Sequence, residues 1–172
     1  MDNKLKISIF NSHMNYQVLR FITFLTLVLF ISIQGFAEEK IKVVDGDTIH
    51  IGKLKYRFSG IDAPEMKQLC NKDGKEVLCG VLAKNALIEK INNSPVTCKI
   101  EEVDRYKRLV AECFVREESL SKFLVKNGYA VAYRRYSMKF VEDENYAKEN
   151  KLGLWSMTFE YPWDYRAKAR AK

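Results

Sequence analysis

Ile41-Lys42-Val43-Val44-Asp45-Gly46-Asp47-Thr48-Ile49-His50-Ile51, followed by Lys53-Leu54-Lys55-Tyr56-Arg57-Phe58-Ser59, is the stretch that decides the fold class. The β-branched residues Ile41, Val43, Ile49 and Ile51 flank Asp45-Gly46, which reads as two short strands around a tight turn. From Lys53 to Ile61 the pattern becomes strict alternation. Leu54, Tyr56 and Phe58 fall on one face, and Lys53, Lys55, Arg57 and Ser59 on the other. This is a half-buried third strand whose polar face, carrying Arg57, meets solvent or a ligand.

Working outward, Val77 to Ile91 has helical spacing, with Val81, Leu82, Leu87, Ile88 and Ile91 available as a core stripe. Asn92-Asn93-Ser94-Pro95 stops it. Val96, Cys98 and Ile100 alternate with Thr97, Lys99 and Glu101 as a fourth strand, and Leu109 to Val115 is its partner across a charged loop. Glu118-Ser119 opens a second helix that Asn127-Gly128 ends. A third runs from about Met138 to Asn150, before Gly153. The order is three strands, helix, two strands, two helices. It predicts an α+β protein: a five-stranded OB-fold β-barrel with three α-helices.

Almost half of the 172 residues are apolar and 30% are charged, a globular balance that excludes a disordered chain. The net charge is +7, of which about +5 lies beyond residue 37. A basic excess favours polyanionic partners, although it also serves ordinary solubility. Residues 1–37 read as an export signal. Arg20 precedes an apolar run from Phe21 to Ile33, and Gly35-Phe36-Ala37 supplies small residues for cleavage after Ala37. The run is shorter than the roughly 20 residues of a membrane span, which makes an uncleaved anchor the lesser reading. The expectation is a secreted or periplasmic monomer with no stable membrane association after cleavage. Residues 38–158 form its domain, and 159–172 a basic, frayed C-terminal tail.

All four cysteines, Cys70, Cys79, Cys98 and Cys113, follow that leader, and an even number in an exported chain points to disulfides. Three pairings are open. Cys70 and Cys79 flank a polar loop, which suits a local clasp. Cys98 and Cys113 lie on two candidate strands, where they could face one another or be buried thiols. With no CxxC and only His13 and His50, a zinc site is disfavoured.

Two turns and two arginines carry the chemistry. Asp45-Gly46-Asp47 and Asp62-Ala63-Pro64-Glu65 each read singly as an ordinary turn. Together they offer carboxylates from two loops, a hard oxygen site suited to Ca²⁺ or Mg²⁺, with a further carboxylate to orient or deprotonate water. Arg57 and Arg108 supply guanidinium groups, which grip phosphate oxygens in pairs and stay charged. Alone, Asp104-Arg105-Tyr106-Lys107-Arg108 would be a charged hairpin tip.

In order and type, Asp47, Arg57, Asp62, Glu65 and Arg108 resemble the functional pattern of the staphylococcal nuclease (thermonuclease) family, over roughly Lys40 to Ser156. The resemblance implies that Asp47, Asp62 and the Ala63 carbonyl hold Ca²⁺, and that Glu65 acts as general base or holds the attacking water. Arg57 and Arg108 would clamp the phosphate, and Arg105, Tyr106 and Tyr133 would border the nucleotide. Trp155 resembles a family core tryptophan. The implied activity is hydrolysis of the P–O5′ bond of DNA and RNA, leaving 3′-phosphate ends. Two positions depart from the pattern: Ala63 replaces a threonine, and Lys107 stands where a glycine precedes the second arginine. A lysine forced into a left-handed backbone there costs about 1 kcal/mol. Two alternatives use the same residues differently. One is a catalytically silent nucleic-acid or protein binding module of the same fold, disfavoured by the complete set of five. The other is a metal-dependent phosphodiesterase acting on something other than nucleic acid.

Overall fold

In the computed structural model the described residues are Tyr16, Arg20 and 39–171. The chain divides into two units, Met1–Glu38 and Glu39–Lys172. In the first, Tyr16 and Arg20 are helical, with the Arg20 guanidinium over the Tyr16 ring. The export-signal reading and its cleavage point otherwise lie outside the described residues. Among the described residues no helix is long and apolar enough to cross a membrane.

The second unit opens with the meander expected from the sequence: β1 (Ile41–Val43), β2 (Thr48–Ile51) and β3 (Leu54–Phe58). Ile49, Tyr56 and Phe58 are buried, as the alternation requires. Then come β4 (Ile61–Asp62), the hairpin β5 (Leu69–Lys72) and β6 (Lys75–Leu78), and helix α1 (Cys79–Ile91). Strands β7 (Val96–Val103), β8 (Leu109–Val115) and β9 (Glu118–Ser119) lead into α2 (Leu120–Lys126). After β10 (Val131–Ala132) come α3 (Val141–Glu149), a 3-10 turn at Gly153–Ser156 and α4 (Pro162–Ala171).

The expected closed five-stranded barrel with three helices is corrected on two points. The main sheet has six strands in the order β1-β2-β3-β8-β7, with β9 added to β8. All its pairs are antiparallel except β3 with β8, so it is a mixed sheet whose path runs from β1 to β7 without closing. Counting strands does not reveal closure, which requires hydrogen bonds between the first and the last. Here β1 has only three residues and pairs with β2, while β7 spends its length on β8. Four α-helices, not three, follow residue 39, because the stretch read as a frayed tail forms α4.

The main core joins Ile49, Phe58 and Ile61 to Leu87 and Ile91 of α1 and Leu120 and Leu124 of α2. Each such side chain contributes about 1.5–3 kcal/mol by leaving water. The α1 stripe differs from the expected one. Leu82 and Ile88 are 41% and 46% exposed, and Ala83 and Ala86 take the buried side with Leu87 and Ile91. Lys75–Leu78 went into a strand, so the helix starts later than its periodicity suggested. Helix α2 begins as expected, with the Ser119 hydroxyl accepting from the Lys122 N–H.

A second apolar cluster gathers Cys70, Cys79, Val131 and Leu154, with Trp155, Phe159, Tyr161 and Trp163 packed on it. Cys70 is bonded to Cys79. Cys98 is bonded to Cys113, directly opposite in the β7–β8 register. Glu144 of α3 is fully buried and accepts from the Ala132 N–H, Arg134 and Lys148.

Candidate active site

Backbone constraints bring the two turns together. The Asp45 carboxylate accepts from the Asp47 N–H, closing the first turn. A Cβ on Gly46 would lie 2.7 Å from the Ala63 Cβ and 2.8 Å from the Ala83 Cβ, so only hydrogen fits between this turn, the second turn and α1. Gly80 plays the same part at the N-terminus of α1, where a Cβ would lie 2.1 Å from the Glu65 carbonyl oxygen. The β2–β3 register sets Thr48 opposite Arg57, which places Arg57 beside Asp47. Asp62 is held in β4 by its pairing with Val131 of β10.

The result is a buried cluster of alternating charge. Arg57 Nη1 lies 2.7 Å from Asp47 Oδ2, and Arg57 Nη2 lies 2.9 Å from Asp62 Oδ1. One guanidinium therefore bridges carboxylates from separate loops. Asp47 Oδ2 also accepts from the Ala63 N–H at 2.7 Å, and Oδ1 from the Thr48 hydroxyl at 3.2 Å. Asp62 is completely buried. Glu65 is more open. Its backbone is fixed by Gln68, whose side-chain oxygen accepts from the Glu65 N–H and whose own N–H donates to the Glu65 carbonyl.

Arg166 of α4 also enters the cluster, from the far end of the chain. Its Nη1 lies 3.0 Å from both Asp62 Oδ1 and Glu65 Oε1, and its Nη2 lies 2.7 Å from Asp62 Oδ2. The sequence singled out neither Arg166 nor Gln68. Pro162 at the first helical position and Asp164 in the first turn are helix-start signals that would have found α4. Nothing distinguishes Arg166 from Lys168 and Arg170 beside it.

Electrostatics follow burial. Loss of water pushes the Asp47 carboxyl up to about 6, against the pull of Arg57 and with a further push from Asp45. Burial also raises Asp62, with Asp47 adding to the rise and Arg166 and Arg57 opposing it. Burial alone would lower Arg166, but Asp62 and Glu65 outweigh it and hold the guanidinium charged. The donor set fits a hard divalent cation, since every candidate ligand is oxygen and two of them are buried carboxylates from separate loops. Among the described residues no three His, Cys, Asp or Glu side chains converge as ligands; Glu65 turns to Arg166 instead.

The remaining expected residues stand apart from this cluster. Arg108 Nε lies 2.8 Å from Asp104 Oδ2, within its own turn. Asp104 Oδ1 accepts from the N–H groups of Tyr106 and Arg108. Lys107 has φ 60°, the left-handed conformation a glycine would favour. Arg105 and Arg108 both sit over the Tyr106 ring, which is 63% exposed. Tyr133 stacks on Trp163, with centroids 5.4 Å apart and planes 7° apart, and Trp163 stacks in turn on Tyr161.

A mixed sheet carrying a carboxylate–guanidinium cluster at its turns makes this a small α+β protein. Residues 55–157 match the family described as "Staphylococcal nuclease homologue", and the chain belongs to that family. It is 33% identical over 118 residues to the succinoglycan biosynthesis protein ExoI of Rhizobium meliloti, covering 66% of this chain and 61% of that one. It is 32% identical over 152 residues to endonuclease YhcR of Bacillus subtilis, covering 76% of this chain and 12% of the relative. It is 29% identical over 134 residues to the probable staphylococcal-like nuclease CAN3 of Oryza sativa, covering 76% of this chain and 33% of that protein. The chain thus spans less than two thirds of the length of each of these relatives.

Proposed function

We propose that this chain is a Ca²⁺-dependent, sugar-nonspecific nuclease that hydrolyses the P–O5′ bond of DNA and RNA and leaves 3′-phosphate ends. The observation that carries the reading is the convergence of Asp47 and Asp62, from two loops, on the two terminal nitrogens of Arg57. Relatives named as nucleases support it. Asp47, Asp62 and the Ala63 carbonyl would hold the cation. A divalent cation held there would supply Lewis-acid stabilisation of the charge that grows on phosphorus. Glu65, the most open of the three carboxylates, orients the attacking water and takes its proton. Arg57 binds a non-bridging phosphate oxygen. Arg108, released from Asp104, binds a second and assists the departing 5′ oxygen. Losing one such fixed cation typically costs about 3–4 kcal/mol of barrier. Arg105, Tyr106 and Tyr133 flank the nucleotide, where tyrosines stack bases without reading sequence. Two disulfides support action outside the reducing cytosol, after removal of residues 1–37.

The test is digestion of single-stranded DNA, duplex DNA and RNA by the purified chain, with Ca²⁺ and with a chelator. The expected result is cleavage that requires Ca²⁺ and yields 3′-phosphate termini. Digestion unaffected by the chelator removes the cation from the mechanism, and no digestion of any nucleic acid overturns the proposal.

A further inference from the structure

Helix α4 covers the candidate site with two side chains of different chemistry. Arg166 saturates the carboxylates: Asp62 Oδ1 accepts from both Arg57 and Arg166, Asp62 Oδ2 accepts from Arg166, and so does Glu65 Oε1. A divalent cation needs those oxygens as ligands. Three residues earlier, on the same helical face, Trp163 lies flat on the Tyr133 ring that a nucleobase would use. A cation thus sits where a cation is expected, and an aromatic ring where a base is expected.

Of the two guanidinium groups on Asp62, Arg166 is the one placed to leave. Arg57 is fixed in the centre of the sheet between β2 and β8. Arg166 stands on the ten-residue helix α4, whose last five described residues are exposed. The helix is tethered before and around Arg166 by Gln68 to the Glu160 carbonyl, by the Tyr165 hydroxyl to the Lys67 carbonyl, and by buried Pro162. A helix this short is marginal in water once undocked.

We propose that α4 is an autoinhibitory strap: Arg166 and Trp163 occupy the cation and base positions, and divalent cation binding displaces them. The proposal rests on the nuclease reading above, and its test separates the two. Ca²⁺ affinity is measured by calorimetry without nucleic acid on the full chain, on Arg166→Gln, and on Arg170→Gln. The last removes an equal charge from the same helix without touching the carboxylates. Arg166→Gln is expected to bind about tenfold more tightly than the unaltered chain, and Arg170→Gln within about twofold of it. In the unaltered chain, saturating Ca²⁺ should speed hydrogen exchange of the 163–171 amides by about tenfold or more, with the sheet unchanged. This second measurement stands even if Arg166→Gln folds poorly. Equal affinities, or α4 amides equally protected with and without Ca²⁺, overturn the strap. If nuclease activity persists in that case, the function stands without it. No Ca²⁺ uptake by any of the three chains overturns both.

Discussion

Two buried carboxylate sites in this molecule hold similar inventories and behave in opposite ways. Around Glu144, two cations and a backbone N–H converge on one carboxylate, and together they outweigh burial and hold it below its ordinary range. Around Asp47 and Asp62, Arg57 is shared, Arg166 reaches Asp62 alone, Asp45 and Asp47 add negative charge, and burial wins, so both carboxyls are raised. The first site is neutralised by what the chain itself provides and ties α3 to β10. The second keeps both carboxyls raised although two guanidinium groups face them, because burial and the neighbouring carboxylates outweigh that pull. Burial alone does not set the direction in which a carboxyl shifts; the balance of partners does.

Arg57→Ala is the harshest challenge to that comparison. It should lower turnover by about 100- to 1000-fold, and it leaves two buried carboxylates facing each other. Arg108→Ala should lower turnover by a similar factor, but change the unfolding free energy by less than about 1 kcal/mol, because its Asp104 pair is local and only partly buried. Near-normal turnover in steady-state assays of either variant reassigns that arginine. Glu144→Ala should cost about 3 kcal/mol in urea unfolding, since it strands the Ala132 N–H and two cations. If it costs nothing, Glu144 is not the structural counterpart described above.

Asp47→Asn should act in the opposite direction. The folded carboxyl titrates near 6 and the unfolded one near 4, so the protonated form favours the folded state. Stability from this group is complete below about pH 4 and lost as pH rises through 6. With calcium chelated, Asp47→Asn should therefore equal the unaltered chain near pH 4 and exceed it by about 1–3 kcal/mol at pH 7. Thermal melts across that range check the sign; a variant less stable at pH 7 refutes it. Lys107→Gly should have the smallest effect, a gain of about 0.5–1 kcal/mol from relief of the left-handed backbone, offset in part by unfolded-chain freedom. A loss would mean that the Lys107 side chain holds the turn.

The parts of the fold visible in the sequence are those set by near neighbours. Alternation located β1 to β3, and the Ser119 cap and Gly128 bounded α2. The Asp47, Arg57 and Asp62 group was visible because all three lie within a short stretch whose turns and strand register bring them together. Openness of the sheet was hidden, since it depends on pairing between the first and last strands. So was Arg166, which reaches Asp62 across 104 residues from an alternation of alanine and basic residues that carries no mark of its partner. The outward turn of Leu82 and Ile88 was hidden for a related reason: helical spacing gives a stripe, and the neighbouring chain decides which side of it is covered.

The hydrogen at Gly80 has a last consequence. No amino acid lies between glycine and alanine in size, and a methyl group there would overlap the Glu65 carbonyl oxygen. Any replacement must push the loop off the helix, carrying Glu65 with it, although no charged residue has been replaced. Under the proposed mechanism, activity can therefore be lost here in a single step that leaves the chemical inventory intact, and variants there have no graded route back.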